Sequence, residues 1–181
     1  MLEHKPALLN HQFGVIPMKI RQATVSDVPM LVALNRIAQD MHADAFPERF
    51  RRDAPEQVVA DAFAATFQSS TSYWLVAEEE QPIAFLSADF CERKESWHSV
   101  SRRVCYLAGI VVAPSFRRRG IARTLLAALK QEADARGVGC IELDVWTFND
   151  GAREAFAKLG FNRLMERMAL STKGPNQTPM P

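Results

Sequence analysis

Cysteine is scarce: only Cys91, Cys105 and Cys140 occur in 181 residues, an odd number at wide spacing. There is no Cys-x-x-Cys pair and no Cys/His cluster at zinc spacing, so neither a disulfide scaffold nor a metal site is expected. Free thiols fit a reducing compartment, and a cytoplasmic protein is the expectation. A run of about 18 apolar residues, the length of a membrane span, is missing. Residues 1–17 carry only short apolar patches broken by Pro6, Asn10 and Pro17, unlike a signal peptide. Charge of one sign is missing as well. Lys plus Arg number 22 and Asp plus Glu 21, for a net +1. No global field therefore attracts nucleic acid or an anionic membrane, and neither is expected as a partner.

What is present suits one globular domain. Hydrophobic residues make up 48% and charged residues 24%, and the length is that of a single domain with a sizeable core. Residues 1–16 read as an N-terminal extension, 17–171 as the domain, and 172–181, rich in Gly, Pro, Asn, Gln and Thr, as a flexible tail. Residues 18–24 alternate apolar and polar like a half-buried strand. Ser26 or Asp27 can cap a helix whose first turn tolerates Pro29, with Met30, Leu34, Ile37 and Met41 at helical spacing. A second helix follows Asp53 and Pro55, its inner stripe Val59, Ala62, Phe63 and Thr66. Residues 73–78 and 83–90 read as a hairpin, and 92–101 as an exposed loop carrying Trp97. A long apolar strand over 104–112 leads to a helix over 121–136. A strand over 141–146, a helix through Ala152, Ala155, Phe156 and Leu159, and a last strand over 161–170 complete the order. The class is α/β, α+β mixed, with order β-α-α-β-β-β-α-β-α-β and helices flanking a mixed, mostly antiparallel central sheet.

The stretch that carries chemistry is CYLAGIVVAPSFRRRGIARTLLAAL, residues 105–129. A buried strand runs through a short loop into Arg117, Arg118, Arg119 and Gly120, and then a long helix begins. The first amides of a helix have no partners within it, and the helix dipole adds partial positive charge there. A glycine before that end lets a ligand approach the backbone, and the arginines add charge-assisted donors. A phosphate-bearing ligand is the reading; the competing one is a solvated arginine loop with Gly120 as a plain turn. The Gly-x-x-x-x-Gly-Lys loop of nucleotide hydrolases and the Gly-x-Gly-x-x-Gly dinucleotide fingerprint are both absent.

Arg117-x-x-Gly120-x-Ala122 resembles the R/Q-x-x-G-x-G/A signature of the GCN5-related N-acetyltransferase (GNAT) superfamily. The resemblance extends over about residues 20–170. It includes Val111-Val112-Ala113-Pro114 before the signature, and Asn149-x-x-Ala152 and Leu159-Gly160-Phe161 after it. It implies acetyl-CoA as co-substrate and an amine as acceptor. The amides of Arg118, Arg119, Gly120, Ile121 and Ala122 would hold the diphosphate, with Arg117 adding its side chain. Ile110, Val111 and Val112 would run beside the pantetheine arm, the amide region at Ile110 would face the thioester oxygen, and Asn149 would contact the cofactor or cap its helix. Gly109 inside the strand suggests a bulge or tight packing. A homodimer is compatible with the family.

Two family positions differ here. Phe156 stands where a tyrosine acid is common, and Tyr106 where a glutamate base is common. Tyr106, Glu142 and Asp144 are the catalytic candidates, with Glu78, Asp89 and His42 as further candidate bases. His42, Phe46 and Phe50, in the segment joining the first two helices, are acceptor-side candidates or else a hydrophobic lid over the core. Trp74 reads as core; Trp146 reads as core or acceptor wall. The expected activity is transfer of acetyl to a primary amine, on a small molecule, by direct attack in a ternary complex. The alternatives are an acyl-CoA sensor without turnover and a protein N-acetyltransferase.

Overall fold

The computed structural model describes residues 17–170 and 172. The extension expected over 1–16 and, but for residue 172, the tail expected over 172–181 lie outside the described residues. One sheet holds five strands in the order β1-β2-β3-β4-β5: Lys19–Gln22, Ser72–Glu78, Pro82–Arg93, Arg102–Val112 and Ile141–Glu142. The first three junctions are antiparallel and the last, β4 to β5, is parallel. The helices are α1 Val28–Ala45, α2 Glu56–Thr66, α3 Ile121–Ala135 and α4 Asp150–Lys158. None of the described helices is long and apolar enough to cross a membrane.

Strand alternation sends each face of the sheet to a different helix layer. Leu75, Leu86, Ala88, Cys105 and Leu107 pack with Ile121, Leu125 and Leu129 of α3. Trp74, Val76, Phe85 and Val111 point the other way, onto Leu31 and Leu34 of α1, with Phe63 of α2 and Phe67 beyond its end. Phe63 and Phe67 sit on the Trp74 indole at 5.1 and 5.6 Å. The α3 stripe matches the sequence pattern. In α1 the expected Leu34 is buried and Ile37 packs on the same core, Leu31 joins them fully buried, and Met41 is exposed. Ala62 of α2 is exposed as well.

Two expected strands differ. Residues 161–170 form no strand. Leu164, Met165, Met168 and Leu170 are all exposed, so no apolar face of 164–170 is buried against the sheet. β5 is limited to Ile141 and Glu142 rather than 141–146, because its pairing to β4 stops there. The loop expected over 92–101 is the tip of the β3–β4 hairpin, closed by a Ser96–Ser99 bridge, with Trp97 almost wholly exposed.

An ion trio fixes where α1 begins. Arg21 of β1 donates through Nη1 and Nη2 to both Asp27 oxygens, at 2.8 and 2.7 Å, and through Nε to Glu78 of β2 at 2.8 Å. Asp27 also accepts the Thr24 amide at 2.8 Å. The bidentate Arg21 guanidinium is the main reason the Asp27 carboxyl is held down to about 2, burial opposing it. A depressed carboxyl contributes stability above its unfolded value near 3.8, and that contribution disappears as pH falls through about 2. Asp27→Asn is expected to lower stability by about 2 kcal/mol at pH 7. Urea titrations from pH 7 to 2 should show the gap to wild type closing below pH 4.

Candidate active site

The centre of the site is a place where two strands part. β4 and β5 pair only at Cys105 with Ile141 and at Tyr106 with Glu142. β4 continues six residues further, from Leu107 to Val112, still paired to β3 on its other edge. On the β5 side that stretch has no strand partner among the described residues. Its outward backbone groups are therefore open to an extended ligand, as a sheet edge is to an added strand. β4 also bulges here: Ala88 lies opposite Leu107 and Ser87 opposite Gly109, so Ala108 is the extra residue. A Cβ built at Gly109 would come within 3.3 Å of Ser87 Oγ, so glycine serves close packing as well as the bulge.

The open edge ends at the arginine turn. Ala113 N–H donates to Ile83 O at 2.9 Å, and Pro114–Phe116 makes one 3-10 turn. Arg117 Nε donates to Val112 O at 3.1 Å and so holds the last carbonyl of β4. Arg118 and Gly120 are both left-handed, φ 63 and 82. α3 then starts at Ile121 with no side chain capping it. Ile121 is buried in the core, Ala122 is half-buried, and their N–H groups open the helix toward the turn. Arg119 is drawn to Glu79 at 2.5 Å and lies over the Phe116 ring; Arg118 is exposed.

The α1/α2 face beside the parted strands holds the ionisable candidates. Leu143 packs with the α3-side core, whereas Asp144 is reached by Tyr106 and Trp146 packs on Phe46 at the end of α1. Tyr106 O–H donates to Asp144 Oδ2 at 3.1 Å. Burial pushes the Tyr106 phenol above its ordinary value, and the Asp144 charge adds to that. Glu142 is taken up by an ion pair with Arg102, a partner the sequence does not signal. Glu78 belongs to the ion trio of Arg21, and Asp89 accepts from Ser72 at 2.6 Å. Asn149 caps α4, its Oδ1 accepting the Ala152 amide at 3.1 Å. Phe156 packs edge-on against Phe161. The three cysteines are free, and burial pushes the Cys105 thiol up to about 11.

The acceptor-side candidates converge with aromatics from a distant segment. His42 and Phe46 close α1, and Phe50 lies in the turn after it. They meet Trp146 and Phe148 from the loop after β5: Phe46 and Phe50 are each 5.2 Å from Trp146, and His42 is 5.6 Å from Phe148. Phe148 is the member that sequence reasoning misses. Its only signal is a second aromatic ring in the short loop before Asn149.

Known proteins share this chain's family and fold. The family model described as the acetyltransferase (GNAT) family matches residues 34–161. The uncharacterized N-acetyltransferase YhfO of Bacillus subtilis is 29% identical over 146 residues, 80% of this chain and 89% of that protein. A mutant of the BH1408 protein from Bacillus halodurans superposes with a TM-score of 0.80 at 27% identity, covering 86% of this chain and 99% of that one. A predicted acetyltransferase from Clostridium acetobutylicum, solved with acetyl-CoA, shares the fold at a TM-score of 0.66 and 24% identity, covering 86% of this chain and 96% of that one.

The chain's two tyrosines, Tyr73 and Tyr106, both have raised phenols, so absorbance titration should show less than half of the tyrosinate signal at pH 10. In a Tyr73→Phe background, Asp144→Asn should bring the remaining transition to lower pH. An unmoved transition would mean that the Tyr106–Asp144 contact is not formed in solution.

Proposed function

The chain belongs to the acetyltransferase (GNAT) family and is an acyltransferase, and from that premise we propose that it moves acetyl from acetyl-CoA to a primary amine on a small molecule, by direct attack in a ternary complex. The observation that carries this reading is the continuity of the open β4 edge with the left-handed turn that opens α3. A pantetheine arm laid along Ile110, Val111 and Val112 would deliver its diphosphate to the amides of Arg118, Arg119, Gly120, Ile121 and Ala122. Arg117 closes the turn from the Val112 carbonyl, and Arg119 is available to phosphate once it leaves Glu79. Asn149, at the start of α4, flanks the same crevice. The catalytic domain is assigned to 17–171, and the free thiols fit a cytoplasmic location.

In this reading the acceptor enters on the α1/α2 face, beside His42, Phe46 and Phe50. An alkylammonium has a pKa near 10.4, so a proton must leave before the nitrogen lone pair can attack. Asp144 is the base of choice, because Glu142 is engaged by Arg102. Tyr106 orients the Asp144 carboxylate through its hydroxyl. The nitrogen adds to the thioester carbonyl, the Ile110 amide region steadies the oxygen, and the carbon–sulfur bond breaks. A thiolate leaves with a conjugate acid pKa of about 8.5, which makes an acid at Phe156 dispensable.

Asp144→Asn is expected to lower kcat/KM at pH 7 by about a hundredfold or more, the scale of general base catalysis. Calorimetric affinity for acetyl-CoA should change less than twofold. Acetyl-CoA binding without thiol release from any amine would instead favour the sensor alternative. Gly120→Val meets no protein atom within 4 Å, but it forces a branched residue to φ 82, at about 1–2 kcal/mol of strain. Its melting temperature should fall by a few degrees and its acetyl-CoA affinity by at least tenfold. An unchanged affinity would move the diphosphate away from this turn.

A further inference from the structure

The rings of His42, Phe46, Phe50, Trp146 and Phe148 form one cluster although the two segments lie about a hundred residues apart. Each ring touches at least two others, with centroids between 5.0 and 6.5 Å. The cluster is not a sealed core. Phe46 is 4% exposed and forms its floor, while Trp146 is 37% exposed and His42, Phe50 and Phe148 are half-buried. An apolar, partly open wall therefore stands at Trp146, two residues along the chain from Asp144.

The Arg49 guanidinium lies 5.9 Å over the Trp146 ring, so one face of the indole already carries a cation–π contact. The His42 ring is set as well. Its Nδ1–H donates to the Ala38 carbonyl at 2.6 Å, because a carbonyl can only accept. That contact fixes the ring's orientation, and its faces add surface to the wall.

We propose that the aromatic wall selects the acceptor: an amine whose amine-bearing carbon is joined to a flat or branched apolar body, with the body on Trp146 and Phe50 and the nitrogen toward Asp144. This rests on the acetyl-transfer reading above and narrows its substrate class. Polyamines and aminoglycosides would set further charged or hydroxyl groups against the rings, where they find no apolar match. An extended peptide would place polar backbone against them.

The experiment compares kcat/KM for 2-phenylethylamine, putrescine, spermidine, an aminoglycoside and an alanine-headed peptide, using thiol release by the full chain at saturating acetyl-CoA. The expected result is 2-phenylethylamine at least tenfold above putrescine. Trp146→Ala should reduce that ratio at least tenfold, through KM for the aromatic amine, and Trp146→Phe should restore most of it. A general packing defect would lower all amines alike and leave the ratio intact, which would overturn the proposal. A polyamine, aminoglycoside or peptide as the best substrate would overturn it too.

A binding readout separates this inference from the reading beneath it. A saturable tryptophan fluorescence change with 2-phenylethylamine, present in wild type and lost in Trp146→Phe, supports the wall even if no amine releases thiol, in which case acetyl transfer alone fails. No such change, with no preference in turnover, overturns the wall.

Discussion

The parting of β4 from β5 after their second residue pair is the constraint on which the rest of the molecule turns. A backbone amide or carbonyl away from bulk water needs a partner, and a continued parallel ladder would supply one for each residue of Leu107–Val112 on that edge. Here the ladder stops at Tyr106 and Glu142. The freed edge cannot curl away, because β3 holds its other side through to Val112 and the Ala113 amide is tied to Ile83. Leu107 is packed on the α3 side and Val111 on the α1 side, which fixes the rotation of the strand as well. The result is an edge held in place on one side and unpaired on the other. The left-handed turn at Gly120 lies at its far end, so a ligand with an extended arm and a charged terminus matches both features in one pose.

The aromatic cluster at the end of α1 depends on contacts far from it. α1 runs from the Arg21–Asp27–Glu78 trio to His42 and Phe46, so its start is fixed to β1 and β2 while its end reaches the loop after β5. Leu31 and Leu34 hold its middle against the sheet. Eighteen residues at 1.5 Å each make a lever of about 27 Å, and an error in seating the first turn would be carried to the aromatic cluster. The buried carboxylate is thus a positioning element for a site on the opposite end of the helix.

Much of this was legible in the sequence, and the boundary between the legible and the illegible is physical. The cradle at 117–122 is local: a buried strand, a glycine and a helix start lie within one stretch of chain, and Gly120 indeed adopts the left-handed backbone that residue type permits. The bulge at Ala108 was signalled by Gly109. The α3 stripe followed from a 3.6 period. Failures came where the period was ambiguous or the partner remote. In residues 161–170, Phe161, Leu164, Met165 and Met168 fall at helical rather than alternating spacing, which a strand does not use. Arg102 neutralising Glu142 and Phe148 joining His42 are contacts between residues 40 and 106 positions apart. No window along the chain contains both members of either pair.

The chemistry proposed for the site gains coherence from the juxtaposition of an apolar wall and a carboxylate. Of the two proton movements in amine acetylation, the loss from the ammonium is the harder at pH 7, since an unperturbed amine near 10.4 is neutral in roughly one molecule in two thousand. A carboxylate alone would attract the ammonium and stabilise its charged form, raising that barrier. Aromatic rings alone would desolvate the ammonium and favour the neutral form, with no group to take the proton. An amine held between Trp146 and Asp144 meets both influences at once: the rings make the charge unfavourable and the carboxylate receives what is released. Under that proposal, Phe156 in place of an acid is compatible with turnover, because the thiolate is the easier group to release.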